Sequence, residues 1–202
     1  MCIRDREEQR AEIRESRIAH QQTADELGKQ TFENTFFQML SLHHQIVDAV
    51  DVAGGYKETL TGRDCFSAFA SRVRRQINAD IQGNKDKKTD FEIATQSYEE
   101  YYNQIQDDIG HYFRNLYNTV KFVDLSSVED KQFYTNLIRA QLSASELSLL
   151  FYNCISMHGS QKFRPLIEKY SLLKNMPLAR LIKPEHKDWL AASAYGNKSN
   201  AT

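Results

Sequence analysis

Cysteine, net charge and long apolar runs are all scarce in this chain, and each shortage excludes something. The 202 residues hold 3 cysteines, Cys2, Cys65 and Cys154, with no C-x-x-C pair among them. Zinc ribbons and dithiol redox motifs need closer pairs, so both are excluded. An odd, widely spaced set fits a reducing cytoplasm, with Cys154 as a small apolar filler in the core. Charge of one sign is missing too: 26 basic against 27 acidic side chains leave a net charge of −1. No global field draws the chain toward nucleic acid or an anionic membrane. No run approaches the ~18 apolar residues a membrane-spanning helix requires, so the chain as it stands reads as soluble. Gly-rich phosphate loops, Ser-His-Asp arrangements and H-E-x-x-H strings are absent, as is strand-like alternation of useful length.

What remains is helical pattern. Apolar residues make up 41% and aromatics 11%, enough for a real core. Residues 5 to 31 are rich in Glu, Arg and Gln, and Ile13, Ile18, Ala24 and Leu27 make a poor heptad seam. This stretch is expected to be a solvated helical stalk, through which the chain could form a homo-oligomer. From Phe32 the composition changes: Phe32, Phe36, Phe37, Leu40, His44, Val47 and Val50 recur at three- and four-residue steps, until Gly54-Gly55 ends the helix. A second helix is expected with Asp64 as its N-cap and Phe66, Phe69, Val73 and Ile77 on one face. A polar loop over residues 82–90 precedes a third helix, Phe91 to Tyr102. The expected organisation is a stalk over 1–30, a helical domain over 31–178, and a turn with a disordered tail over 179–202.

Two further helices carry most of the information. Between about 104 and 123, Ile105, Ile109, Tyr112, Phe113, Leu116, Tyr117 and Val120 share one face, while Asp107, His111, Arg114 and Asn118 share the other. Ser126 or Ser127 should cap the next helix, which runs from about 129 to 157 and is apolar nearly all round, hence central. One polar stripe interrupts it: Asn136, Arg139, Ser143 and Glu146. Gly159 stops it, and a last helix from Lys162 to Lys174 is closed by Pro177. The fold class is therefore all-α, a bundle of about five to six helices behind a charged N-terminal helix.

The strings Phe32-Glu-Asn-Thr-Phe-Phe37 with Leu42-His-His44, Gly62-Arg-Asp64, Gly110-His-Tyr-Phe-Arg-Asn-Leu-Tyr117, Phe133-Tyr-Thr-Asn-Leu-Ile-Arg-Ala-Gln-Leu-Ser143, Phe151-Tyr-Asn-Cys154 and Lys162-Phe163 resemble the phage abortive infection proteins of the AbiC-like group in bacteria. The resemblance spans roughly residues 30 to 175. It implies antiviral defence, in which an infected cell stops growing or dies before phage are released. It also implies hydrophobic membrane-spanning helices upstream of a charged helix, anchoring the full-length protein to the inner membrane. The opening Met-Cys-Ile-Arg-Asp-Arg looks like adaptor sequence, so the chain is expected to be an N-terminally truncated fragment. The resemblance assigns no catalytic residue and no cofactor.

The residues themselves nominate His111, Arg114, Arg139 and Glu146 as catalytic candidates, and Asn115, Asn136, Arg139, Ser143 and Glu146 as a binding set. An imidazole suits proton transfer and a guanidinium suits a phosphate, as in HEPN-type ribonucleases. There, however, Arg precedes His by four to six residues, and here His111 precedes Arg114. Arg14 to His20 and Arg180 to His186 meet that spacing only formally. The competing reading is structural, with Asp107 beside His111 and an internal ion pair between Arg139 and Glu146. His43-His44 is no metal site, since adjacent side chains diverge by 100° on a helix. The expected function is a cytoplasmic sensor or effector domain acting by binding or self-association on a phage or host trigger. A ribonuclease toxin, which would bring nucleic acid in as a partner, and a scaffold recruiting through the Phe32–Val50 stripe are the alternatives.

Overall fold

The computed structural model of the chain describes residues 3–52, 59–84 and 88–196. It divides into two compact units, Met1–Met39 and Leu40–Thr202. The expected stop at Gly54-Gly55 and the opening residues Met1 and Cys2 lie outside the described residues, as do the last six of the tail.

The first unit is helical throughout its described length and belongs to α1 (Ile3–Ala49). From residue 12 to residue 31 every side chain is exposed, Ile13, Ile18 and Leu27 included. Local bonds hold this stretch: Gln21 donates to Asp25 at 2.9 Å, and Thr23 and Thr31 donate to the carbonyls of Ala19 and Leu27. Phe32 stacks on Phe36 one turn later, with centroids 6.1 Å apart. Phe37, expected on the apolar stripe, is exposed.

In the second unit, the end of α1 buries Leu40, His43, Val47 and Val50. His44, expected on that stripe, is half-buried and points elsewhere, because the buried face steps 40, 43, 47. Two short strands, β1 (Asp51–Val52) and β2 (Leu60–Thr61), pair antiparallel with Asp51 opposite Thr61. Gly62 follows at φ +60°, a left-handed conformation that L side chains rarely adopt, and its amide returns to the Val50 carbonyl at 2.8 Å. That turn starts α2 (Arg63–Gln82), so Gly62 stands at the N-cap and not Asp64, which falls in the first helical turn.

The third helix and the first informative helix are one: α3 runs Asp90–Leu125 without a break. Its start is a capping box, in which Thr89 accepts from the Glu92 amide and Glu92 accepts from the Thr89 amide at 2.8 Å. The expected helix over 129–157 is instead two, α4 (Lys131–Gln141) and α5 (Ala144–Ile155). Leu142 and Ser143 between them are extended, at ψ 124° and 164°. Asp130 caps α4 by accepting from the Phe133 amide, in place of Ser126 or Ser127.

The central position expected of the apolar helix belongs to α5, buried from Ser145 to Ile155, which packs with α2 and α3. Phe66, Phe69, Val73 and Ile77 of α2, Ile109, Tyr112, Leu116 and Val120 of α3, and Leu147, Leu150, Phe151 and Cys154 of α5 form the buried core. Fully burying each such aliphatic or aromatic side chain contributes about 1.5–3 kcal/mol. Phe133, by contrast, is exposed, since α4 presents only Tyr134, Thr135 and Ile138 inward.

The short α6 (Arg164–Tyr170) ends at Ser171, whose φ of 54° is left-handed. Three 3-10 helices close the chain: Leu178–Arg180, Pro184–Trp189 and Ala192–Tyr195. The expectation of a disordered tail fails over 192–195. Ala194 is fully buried, its carbonyl accepts from the Leu173 amide, and Ser171 donates to the Ser193 carbonyl at 2.7 Å. Trp189 is sandwiched in this region, stacked on His186 at 3.9 Å and edge-on to Phe91 at 5.5 Å.

Candidate functional site: a cationic, aromatic cleft beside α3

The polar stripe does not form one surface, because the break at Leu142-Ser143 divides it. Ser143 and Glu146 are the two halves of a second capping box, at the start of α5. Ser143 accepts from the Glu146 amide, and Glu146 Oε2 accepts from the Ser143 amide at 2.8 Å. The other carboxyl oxygen accepts from the Tyr112 hydroxyl at 3.2 Å. Glu146 is fully buried, and no ion pair to it is found among the described residues. Arg139 turns instead to the C-terminal segment, donating from Nη1 to the Ser171 carbonyl at 3.3 Å. The expected Arg139–Glu146 ion pair therefore does not form: the break at Leu142-Ser143 separates the two, and each is bonded elsewhere.

Asn136 accepts from Gln132 on the same helix at 3.0 Å. Asn115 is half-buried, with an amide nitrogen that has no protein partner. No hydrogen bond joins His111 to Asp107 among the described residues. The chemical candidates thus separate into a structural pair (Ser143, Glu146), a tertiary tie (Arg139), and Arg114, which is exposed and faces a cleft.

That cleft holds about 360 Å³ and is lined by Tyr102, Gly110, Phe113, Arg114, Tyr117 and Asn118 of α3, Asn153 of α5, and His158, Lys162 and Phe163 of the segment that follows. Its floor is rigid. Asn153 donates to the buried Tyr98 hydroxyl at 3.3 Å, and Phe163 meets Tyr117 edge-on at 5.6 Å. The His158 ring lies 4.3 Å from that of Tyr102, tilted by 40°. At the rim, the Met157 amide donates to Glu99 at 3.0 Å. Gly159 makes the tight return possible: a Cβ there would meet the backbone and side-chain oxygens of Asn153 at 2.6 Å.

The charged lining residues are all basic. Arg114 and Lys162 bring positive charge, and no carboxylate is among the lining residues. Neither cation has a hydrogen bond or ion pair among the described residues, whereas neighbouring Arg164 pairs with Glu168 at 2.8 Å and Lys169 with Asp124 at 2.6 Å. Burial pushes the Tyr102 hydroxyl pKa up, and the Arg114 guanidinium opposes that rise. Gly110 lets the two groups approach over bare helix backbone, since a Cβ there would meet Arg114 Nη1 at 3.2 Å and the Tyr102 hydroxyl at 3.3 Å.

Sequence reasoning found Arg114 but missed His158, Lys162 and Phe163 as its neighbours. They lie in an irregular turn where no periodicity reports direction. Among the described residues no group of three or more His, Cys, Asp or Glu could hold a metal ion. His43 and His44 diverge as expected: His43 is buried beside the Tyr112 ring at 5.1 Å, and His44 bonds Gln141 at 2.9 Å. Cys65 and Cys154 are free and buried, with burial raising both thiol pKa values. No described helix is long and apolar enough to cross a membrane.

The family model described as "Putative phage abortive infection protein" matches residues 104–181. No curated protein and no solved structure matches the chain. The matched range takes in every cleft residue except Tyr102, and four of the strings that carried the resemblance, but neither Phe32–Phe37 nor Gly62–Asp64. Over residues 104–181 the chain is therefore similar to phage abortive infection proteins.

Proposed function

We propose that the helical unit of this chain acts in abortive infection as a sensor or effector by binding a ligand in the cleft beside α3. One observation carries the reading: Arg114 and Lys162 line the same aromatic-walled cleft, neither forms a hydrogen bond or ion pair among the described residues, and no carboxylate is among the lining residues. Unpaired cations in a concave, partly apolar site are what a binding site for an anionic ligand requires. The unit works in the cytoplasm, and the natural protein is tethered to the inner membrane by a segment upstream of the charged helix.

The ribonuclease alternative has weaker support. Glu146 and Arg139 are engaged in holding helices together, which leaves His111 and Arg114 without an acid or second base among the nominated residues. Self-association through α1 draws on the exposed Ile13, Ile18 and Leu27, though their spacing makes a poor seam.

The test is protection from phage in cells making Arg114→Ala or Lys162→Ala. Both side chains are exposed, so the variants should melt like the wild type and yet lose protection. Full protection by the two variants, expressed at wild-type level, would refute the proposal.

A further inference from the structure

We infer that the ligand of this cleft is a nucleotide, its phosphate held by Arg114 and Lys162 and its base stacked against His158. This rests on the cleft being the binding site of the preceding section. Three features of the lining converge on that class. The first is the pair of unpartnered cations: a guanidinium presents a planar fork to phosphate oxygens and an ammonium adds a point charge. The second is the imidazole of His158. Its ring lies 4.3 Å from that of Tyr102, tilted by 40°, while the residue itself is exposed and lines the cleft, so part of the ring is open to a ligand. Every base has a π-face that stacks on such a ring. The third is Asn118, an exposed amide with no protein partner among the described residues, able to donate and accept toward a base edge or a ribose hydroxyl.

The same features disfavour other classes. Without carboxylates in the lining, the cleft has no anionic ligands for a divalent cation and no partner for a basic peptide. An apolar chain would leave both cations desolvated and unpaired. A volume of about 360 Å³ is too small for a folded partner and falls at the lower end of small-molecule pockets, which run ~300–1,000 Å³. Gly110 fits the assignment as well. Its missing side chain keeps the Arg114 guanidinium low over the helix backbone, beside the Tyr102 hydroxyl, where it can meet a phosphate at the cleft floor. The nucleotide can arrive free or as the end of a single strand, and both present the same base and phosphate.

The experiment titrates the purified 202-residue chain by calorimetry with AMP, GMP, a single-stranded hexa-adenylate, inorganic phosphate and a hexaglutamate peptide. At least one nucleotide probe should bind. Arg114→Ala should weaken it about tenfold or more with thermal melting unchanged, and Gly110→Ala and His158→Ala should each weaken it several-fold. Binding by the mononucleotides indicates a free ligand, and binding by the hexamer alone indicates a strand end; both support the inference. Phosphate binding as tightly as nucleotide, with His158→Ala silent, overturns it because no base is being read. Hexaglutamate binding instead of nucleotide overturns it in favour of an acidic peptide. If no probe binds at millimolar concentration while Arg114→Ala still abolishes protection, the nucleotide class falls and the cleft reading stands. If Arg114→Ala and Lys162→Ala both protect, the cleft reading itself falls.

Discussion

Replacing Glu146 by Ala separates a structural carboxylate from a catalytic one. Glu146 is fully buried and satisfies two donors, the Ser143 amide at 2.8 Å and the Tyr112 hydroxyl at 3.2 Å. Alanine leaves both without that acceptor. Each buried donor so orphaned costs ~1–3 kcal/mol, and the shortened side chain leaves a small void, for a total of about 3–5 kcal/mol. For a chain of this size that corresponds to a fall in Tm on the order of 10 °C. Trp189 is the sole tryptophan and packs against the core, so its fluorescence reports unfolding in urea or on heating. Glu146→Gln keeps one acceptor oxygen and should lose only about 1–2 kcal/mol. Ser143→Ala removes the reciprocal half of the box and should cost ~1 kcal/mol, less than additively with Glu146→Ala because the two share bonds. A Glu146→Ala protein that melts within about 0.5 kcal/mol of wild type, yet no longer protects cells, would refute the structural assignment.

His43 makes stability depend on pH. Burial, then the charges of His44 and Arg63, draw its pKa from 6.5 down to about 4. The neighbouring Tyr112 ring offers its nitrogens no bond, and neither nitrogen has a protein partner. The unfolded chain therefore binds the extra proton between those values, so stability is fully present above pH 6.5 and lost as pH falls toward 4, by about 3 kcal/mol at most. His43→Leu should flatten the urea midpoint between pH 7.5 and pH 5, and an unchanged slope would show that other groups set it. Gly159→Ala should destabilise by about 1–3 kcal/mol, because the new methyl meets two oxygens of Asn153 at 2.6 Å. Wild-type melting of that variant would mean that the 156–163 turn can shift freely. Arg139→Ala removes a bond from a charged donor to the Ser171 carbonyl and should cost ~1.5–3 kcal/mol, read from the same urea curves.

The helices were legible wherever one face is buried along its whole length. Phe66, Phe69, Val73 and Ile77, and Ile105 through Val120, report their faces by spacing alone, and the structure buries those faces except at Tyr117, which lines the cleft. Errors came at the ends, where side-chain capping outranks hydrophobic pattern. Thr89-x-x-Glu92 and Ser143-x-x-Glu146 are both capping-box signatures in plain view. In the second case the apolar residues on both sides of Ser143 hid the break, because a helix buried all round and two helices buried together carry the same composition. The stripe Asn136, Arg139, Ser143, Glu146 was an artefact of extending one helical period across that break. His43 and His44 were ambiguous for a simpler reason: Leu40 supports a step of three or of four equally well, and tertiary packing chose three.

The cleft was only half legible, and the reason bears on where function in this chain should be sought. Polar residues on a regular helix announce themselves by falling off the apolar face, as Arg114 does, but that signal also marks ordinary solvated surface. What distinguishes Arg114 is the company brought by an irregular turn more than forty residues later, which the Gly159 contact with Asn153 draws tight against α5. By contrast, the residues that looked most chemical in one dimension, Arg139 and Glu146, are those whose bonding capacity the fold already uses. A charged group whose partners are all internal has none left for a ligand. Arg114 and Lys162, with their bonding capacity unspent, are the residues whose substitution should alter defence without altering stability.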